Sequence, residues 1–440
     1  MHLSALLGQQ LLSPTGEGVG KVDDVIVRLR GGEYPLVTGL VAKVGGRGVF
    51  IPIKRVAELS EQRAALARAK VDLRSFERRD GEVLLREDIL GHRLIDVADA
   101  ELVRAWDLEL TQSDEGWVLT SLDTRRPSRL FGLLRQSAGN PAQDWKAFEP
   151  LIGHEASVLA RGAFGRVRRL KPAQIADLLE GASRQEGEEI LDAVHADPEL
   201  EADVFEELDP DTANRLFGDK TDAEVADVIN HMRADDAADA IAELPQARRQ
   251  KILDLLPAGT RTKVLTLLGF NSASAGGIMG VEFLAGPADA SVEEVLRRVR
   301  LASTVQPEAL VTVHAVDDAN RLIGTVTVIG LLHAEPEARL LDVVDTDPVR
   351  VTPGTDVVDV ALLMADYNLM TVPVVDADNE LLGVITVDDI LEATIPDDWR
   401  RREPAPRPES VTADAGIDPG TERSAEREPG PPTATSEPRG

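Results

Sequence analysis

The sequence predicts a multidomain α+β chain, and three observations predict it. Residues 1–75 alternate in short apolar and polar runs around Gly-Gly turns. Residues 171–270 are helical in period and break about every twelve residues. Residues 277–396 carry one order of mixed α/β elements twice. A fourth segment, from Arg400, lacks large apolar side chains and predicts a disordered tail.

Val19 to Val27 alternates and is followed by a Gly31-Gly32 turn; Val37 to Val44 and Gly48 to Ile53 supply two more strands around Gly45-Gly46. The run Gly16-Glu17-Gly18-Val19-Gly20-Lys21 mimics a phosphate-binding loop, but it lacks a Gly-Lys-Ser/Thr ending and no helix follows, so a hairpin turn is expected. A second β-rich stretch runs from Leu90 through Val103 to Leu110 and Gly116 to Leu119. In residues 171–270, apolar residues recur at three- and four-residue spacing, as in Ile175, Leu178 and Leu179. Breaks fall at Asp209-Pro210, Thr221-Asp222, Ala234-Asp235, Leu244-Pro245 and Leu256-Pro257, where a cap or a proline ends one helix and starts the next. Short helices at a fixed interval imply a stacked helical array. In the last structured segment, each half reads β-α-β-β-α. The clearer half has a helix from Asp356 to Asp366 and strands at Thr371–Val375 and Leu382–Thr386; the weaker half has a helix from Val292 to Arg300 and strands at Leu310–Val316 and Leu322–Val328.

Three resemblances sharpen this outline. Leu6-Leu7-Gly8, the Gly20-x-Val22-x-Asp24-Val25 strand and Phe50-Ile51-Pro52 resemble a PRC-barrel domain, a small β-barrel used for docking to proteins. The two β-α-β-β-α halves resemble CBS motifs, which usually pair into one unit. Residues 171–396 together resemble the cytosolic half of the MgtE magnesium channel family. The residues that carry this likeness are Met232 to Asp239 with Glu243-Leu244-Pro245, Ser274 to Met279, Tyr367-Asn368-Leu369 with Val372 to Asp376, and Gly383 to Ile390. The expected domains are a PRC-barrel-like domain at 1–75 and a second β-rich, degenerate barrel-like domain at 76–165. An MgtE N-domain-like helical superhelix at 166–272 follows, then CBS motifs at 273–336 and 337–398 and a tail at 399–440. The family continues from its second CBS motif into transmembrane helices, whereas this sequence continues into Asp397-Asp398-Trp399-Arg400 and the proline-rich tail. A sensor architecture separated from its pore is expected.

Charge and composition set the chemistry. The net charge is −29; residues 171–272 carry 10 Lys+Arg against 23 Asp+Glu, and residues 273–400 carry 7 against 23. Such a surface repels nucleic acid and attracts cations. There is no cysteine, which excludes disulfides and thiol chemistry. The longest apolar stretch, Leu322 to Ala334, is interrupted by glycines, threonines and His333, so no transmembrane segment is expected. The N-terminus shows no signal-peptide pattern. A cytoplasmic protein is therefore expected, peripheral to the membrane through a partner. The seven histidines show no metal-ligand spacing and no nucleophile motif accompanies them, so no enzyme is expected. His231 is expected to be a helix-end side chain.

The acidic clusters at Ala234–Asp239 and Val384–Asp389 offer oxygen donors alone, which suits a hard ion such as Mg²⁺. Two acidic domains should repel, and divalent cations between them would neutralise and close the interface. The resemblance implies that Mg²⁺ binds there. It implies Asp235 and Asp239 as ligands on the helical side, and their i, i+4 spacing places both on one face. A cap role for Asp235 or Asp236 is the plainer alternative. On the CBS side the resemblance implies Asp356, Asp389, Glu392 and Asp397. Asn368 stands where the family usually has Asp, so one ion site is in question. CBS pairs also bind adenine nucleotides such as ATP through a Gly-x-x-Thr-x-x-Asp pattern, which Gly383, Thr386 and Asp389 match. The first motif has Gly324 and Thr327 but Gly330 in place of the Asp.

The leading expectation is a soluble Mg²⁺-responsive regulatory protein of magnesium homeostasis. It would pair as a homodimer through the CBS unit and dock on a membrane transporter through the barrel. An adenine-nucleotide sensor and a passive scaffold are the alternatives.

Overall fold

The long alternating run after Gly18 pairs with the next one. Strands β1 (Gln10–Leu12), β2 (Gly18–Arg30), β3 (Glu33–Val44) and β4 (Arg47–Pro52) follow each other antiparallel. The computed structural model describes residues 1–30, 32–68, 74, 76–79, 81–125, 142–151, 165–303 and 305–396. Asp397 and the expected tail lie outside the described residues. The register of β2 on β3 slips at Val22/Asp24, Ile26/Val27 and Arg28/Arg30, and such bulges curl a sheet. Strand β5 (Val56–Leu59) forms the edge beyond β6 (Ala64–Leu66), which runs parallel to β1. The run from Gly16 is a tight turn: Gly16, at φ +86°, donates to the Ser13 carbonyl at 2.9 Å, and a strand follows.

The second β-rich stretch joins the same sheet. Strand β7 (Glu82–Leu84) pairs with β2; β8 (Arg93–Asp96) and β9 (Glu101–Arg104) form a separate pair; β10 (Asp107–Ser113) and β11 (Gly116–Asp123) pair, and Val118 faces Leu36 of β3. Strand β12 (Gln143–Asp144) extends β11, and β13 (Phe148–Pro150) extends β8. The result is one ten-stranded curled sheet. Its core holds Leu3, Leu40, Leu108, Leu122, Trp145 and Phe148 together, so the boundary expected at residue 75 falls inside a continuous sheet and core.

Eight helices follow: α1 (Pro172–Gly181), α2 (Arg184–Val194), α3 (Pro198–Glu206), α4 (Pro210–Asp219), α5 (Asp222–His231), α6 (Ala234–Glu243), α7 (Gln246–Leu255) and α8 (Ala258–Leu267). The starts of α4 to α8 match the five expected breaks. The Asp209 carboxylate accepts from Thr212 N–H at 2.8 Å and Thr221 Oγ1 from Glu224 N–H at 3.3 Å. Each such cap is worth about 1 kcal/mol. Alternate helices in the series pack together, α1 on α3, α3 on α5, α5 on α7 and α6 on α8, which makes the array a superhelix. Phe205 and Phe217 stack at 4.5 Å inside it. The β8–β9–β13 sheet docks on its first turn, with Ile95, Val97 and Leu102 in the helical core. Arg93 Nε donates to Glu186 at 2.8 Å, and its Nη1 donates to the Gly181 carbonyl at 3.0 Å. Burial works against the Glu186 charge, but Arg93 and Ser183 outweigh it and hold its pKa at about 2.

The last region contains two related halves. In the first, β14 (Ala285–Pro287) runs parallel to β15 (Thr312–Val316), which pairs antiparallel with β16 (Leu322–Thr327), around α9 (Val292–Leu301), α10 (Val328–His333) and α11 (Leu340–Val343). In the second, α12 (Val357–Tyr367) precedes the antiparallel pair β17 (Thr371–Val375) and β18 (Leu381–Thr386), and α13 (Val387–Thr394) closes it. The halves clasp reciprocally. Asn320 Nδ2 donates to the Leu381 carbonyl at 3.0 Å, and Asn379 Nδ2 donates to the Leu322 carbonyl at 2.7 Å. Both asparagines have positive φ, 57° and 65°, a conformation that asparagine tolerates. Asn368 ends α12 in the same left-handed conformation, φ 53°, its backbone N–H donating to the Met364 carbonyl, so it is the residue that terminates the helix.

Candidate functional site

The segment between α8 and β14 brings the helical array against the second half. Ala275 and Gly276 donate to the Thr355 and Pro353 carbonyls at 2.8 and 2.9 Å, and Gly280 and Val384 exchange both backbone hydrogen bonds. The approach is close: a Cβ on Gly383 would lie 2.7 Å from Met279 Sδ and 2.8 Å from the Gly280 oxygen. Gly383 thus admits the crossing segment.

This docking places α6 opposite α12 and α13 across a cleft of about 580 Å³. Asp235, Asp236 and Asp239 line one wall; Asp356, Asp389 and Glu392 line the other. Five of the six residues expected to ligate metal therefore share one cavity, and the sixth, Asp397, lies outside the described residues. Arg233 is the one cation among the described lining residues. Apolar atoms of Ile278, Val357 and Val358 complete the walls. Among the described residues no three carboxylates converge closely enough to chelate one bare ion. The arrangement is a carboxylate-lined channel between two walls.

Local structure fixes each group. Arg233 is the N-cap of α6 and its side chain makes no capping bond, so Asp235 and Asp236 stand in the first turn, where the helix dipole favours negative charge. The N-cap position itself falls to Arg233, while the Asp235 carboxylate meets backbone N–H groups of the first turn. Asp356 caps α12, accepting from Val358 N–H at 2.9 Å. Asp389 is buried; its Oδ2 accepts from Thr386 N–H at 2.7 Å and Thr386 Oγ1 at 3.0 Å, which leaves Oδ1 toward the cleft, 3.9 Å from Arg233 Nη1. Asp236 Oδ2 lies 2.5 Å from Arg233 Nε, yet it makes no aligned hydrogen bond and is buried.

The electrostatics are those of crowded carboxylates. Burial first, then the charges of Asp235, Glu243 and Glu392, pushes Asp239 up to about 6. Burial, with Asp235 adding to it, pushes Asp389 up to about 6 despite hydrogen bonds from Thr386. Burial carries Glu206 to about 7 against the pull of Arg233. Asp235 and Asp236 are also raised by burial, Asp235 with the charge of Glu282 adding to it and Asp236 strongly, with the charge of Asp235 adding to it. Burial disfavours the Arg233 charge, but Asp236, Glu206, Asp235 and Asp389 more than offset it and raise its pKa.

Thr386 and Asp389 also edge a smaller cavity of about 170 Å³ with Arg233, Asp235, Glu282 and Gln306. His231 ends α5, its Nδ1 2.7 Å from the Asp227 carbonyl. Sequence reasoning missed Arg233, Glu206 and Gln306 as partners in the cleft. Arg233 lies inside the acidic run already singled out, so a lone cation within a negative cluster was the available signal.

Parts of the chain are similar to known proteins. Residues 170–273 match the MgtE intracellular N domain and residues 340–395 match a CBS domain. The chain is 35% identical over 184 residues to the magnesium transporter MgtE of Thermus thermophilus, 41% of this chain and 41% of that protein. It is 31% identical over 130 residues to the Enterococcus faecalis magnesium transporter MgtE, 30% of this chain and 28% of that protein. The chain thus spans well under half the length of these relatives. A solved structure of the cytosolic domain of the Mg²⁺ channel MgtE in complex with ATP aligns over 51% of this chain and 91% of that one, at 29% identity and a TM-score of 0.49. No described helix is long and apolar enough to cross a membrane.

Proposed function

We propose that residues 166–396 form a Mg²⁺-responsive regulatory module in which hydrated Mg²⁺ draws α6 and α13 together across the acidic cleft. The observation that carries this reading is the lining itself, six carboxylates on two facing walls against one guanidinium. Mg²⁺ keeps most of its water and needs one or two carboxylates per ion, which suits walls that do not converge on a point. The donor set is all oxygen, and the buried Asp236 Oδ2 has no hydrogen-bond partner. Asp235 and Asp239 on one wall and Asp356, Asp389 and Glu392 on the other would hold the ions; Asp397 belongs to the same proposal. The ion supplies charge neutralisation. The chain supplies two rigid walls whose spacing depends on it, a two-state element biased by ligand. Similarity to magnesium transporters supports magnesium as the ion.

The β-rich region is proposed as the docking surface for a partner, a membrane transporter, and the CBS unit as the contact with a second copy of the chain. Leu362 on α12 is exposed at 57%, and Leu391 on α13 is exposed at 48%. Burying these side chains would give a dimer about 1.5–3 kcal/mol for each large one covered. A second reading, adenine nucleotide bound through Gly383, Thr386 and Asp389, has one supporting feature: Thr386 and Asp389 share a cavity wall. That cavity is smaller than the ~300 Å³ ligand sites usually offer, so nucleotide would need it to widen. Titration calorimetry of the full chain with Mg²⁺, Ca²⁺ and ATP tests both. Mg²⁺ binding with a Ca²⁺ preference no stronger than for Mg²⁺ supports the main reading. Binding of ATP that disappears in Thr386→Ala supports the second. No heat with Mg²⁺ rejects the first.

A further inference from the structure

Arg233 stands where three parts of the chain meet. Its backbone N–H donates to Glu206 Oε1 of α3 at 2.7 Å, and its Nε lies 3.3 Å from Glu206 Oε2 and 2.5 Å from Asp236 Oδ2. Across the cleft, Nη1 lies 3.9 Å from Asp389 Oδ1 and Nη2 lies 3.9 Å from Glu392 Oε2. The Gln306 side chain, with its amide oxygen toward the guanidinium, accepts from Nε at 3.0 Å and Nη1 at 2.8 Å. One side chain thus touches the helical array, the loop before β15 and α13. Its reach comes from position: as the N-cap of α6 it projects from the helix start into the cleft.

We propose that Arg233 is a built-in counter-ion that holds the cleft together without metal and competes with the divalent ion for the same carboxylates, so that it sets the Mg²⁺ concentration at which the module responds. The competition half rests on the reading that Mg²⁺ enters this cleft. A guanidinium is permanently charged and planar, and its fork contacts two or more carboxylates at once. It can therefore stand in for a cation at all physiological pH values. Its contacts are unequal. Those to Glu206, Asp236 and Gln306 are short, whereas both contacts to α13 are at 3.9 Å, a distance at which an ion pair holds only loosely. Arg233 anchors firmly to one wall and weakly to the other, which leaves the far wall able to exchange this cation for a better one. Two effects of removing it oppose each other. Loss of the tether favours an open cleft and would raise the Mg²⁺ requirement. Loss of a positive charge beside the ion lowers it. At equal distance, repulsion between Arg233 and a divalent ion matches its attraction for the two α13 carboxylates together, but both of those contacts are long, at 3.9 Å, and loosely held, so the second effect dominates.

The test uses the full chain as wild type, Arg233→Gln and Arg233→Lys, with far-UV circular dichroism confirming that each folds. Small-angle scattering gives the radius of gyration in EDTA and the Mg²⁺ midpoint at constant ionic strength. Arg233→Gln should be more expanded than wild type in EDTA, reach the wild-type dimension at saturating Mg²⁺, and show a midpoint lower by about tenfold. Arg233→Lys keeps the charge but loses the fork, and should lie between. An unchanged or higher midpoint in Arg233→Gln, or an EDTA dimension equal to wild type, overturns the proposal. If wild type shows no Mg²⁺ transition while Arg233→Gln still expands in EDTA, the magnesium reading falls and the tether stands.

Discussion

Asp24 in the β-rich region and Asp389 in the cleft are both buried aspartates, and burial pushes both up to about 6. Their surroundings differ. Asp24 accepts from the backbone N–H groups of Val25 at 2.7 Å, Arg86 at 2.7 Å and Glu87 at 3.0 Å, so both its oxygens are used to tie β2 to the turn after β7. Asp389 is tied through one oxygen and presents the other to a cleft where Asp235 repels it. A buried carboxylate whose oxygens are all satisfied by the chain is part of the scaffold. One with a free oxygen among like charges is a demand for a cation that the chain only partly meets.

The largest expected effect lies on the scaffold side. Asp24→Ala leaves three backbone N–H groups without their acceptor and should cost about 3 kcal/mol of stability in urea unfolding, equally in EDTA and in Mg²⁺. A loss that Mg²⁺ restores would break the distinction between the two regions.

The pH dependence is the next largest. The usual aspartate value of 3.8 is raised to about 6 in Asp389 and Asp239, so the folded state prefers the protonated form. Their contribution to stability is complete below pH ~4 and is lost as pH rises through about 6. In EDTA the thermal midpoint should therefore be higher at pH 5 than at pH 7.5, by the equivalent of about 1.4 kcal/mol from the buried Asp389 and less from Asp239, which water reaches. Mg²⁺ should shrink that difference. Asp24 shifts in the same direction, and its share should persist with Mg²⁺. A pH profile indifferent to Mg²⁺ would assign the whole effect to scaffold carboxylates.

Asp389→Asn keeps an oxygen for Thr386 and removes a charge. It should leave stability in EDTA within about 1 kcal/mol of wild type while raising the Mg²⁺ midpoint roughly fivefold to tenfold, as should Asp235→Asn. The double variant should fall short of the sum, because neighbouring groups on one ligand couple. Full additivity in the calorimetric titrations would place the two residues at separate sites. The smallest effect expected is at the outer face of the CBS unit: Leu362→Glu should shift sedimentation toward monomer without moving the Mg²⁺ midpoint of the cleft.

The parts legible in the sequence were those written locally. Asp209-Pro210, Thr221-Asp222, Leu244-Pro245 and Leu256-Pro257 mark helix starts because caps and prolines act within a turn. The repeat of elements at 285–334 and 351–394 was visible for the same reason. The reciprocal clasp was not read, although Asp317 to Asn320 and Asp376 to Asn379 are the same four-residue turn, Asp-x-x-Asn, because the turn alone does not say that its asparagine reaches the other half. The strand partners of the β-rich region were not legible: β2 meets Glu82–Leu84 and β3 meets Val118, pairings that no local pattern encodes. The acidic walls could be listed in advance, because charge shows in composition. Arg233 could not be assigned, because its meaning depends on Glu206, Gln306, Asp389 and Glu392, which only the fold brings to one place.

The central claim is that a divalent ion, in addition to Arg233, closes the acidic cleft. Small-angle scattering of the full wild-type chain at fixed ionic strength, in EDTA and in millimolar Mg²⁺, tests it most directly. The account predicts a smaller radius of gyration with Mg²⁺, accompanied by a higher thermal midpoint, and loss of most of that change in the Asp235→Asn/Asp389→Asn variant. Superimposable scattering curves with and without Mg²⁺ would contradict it.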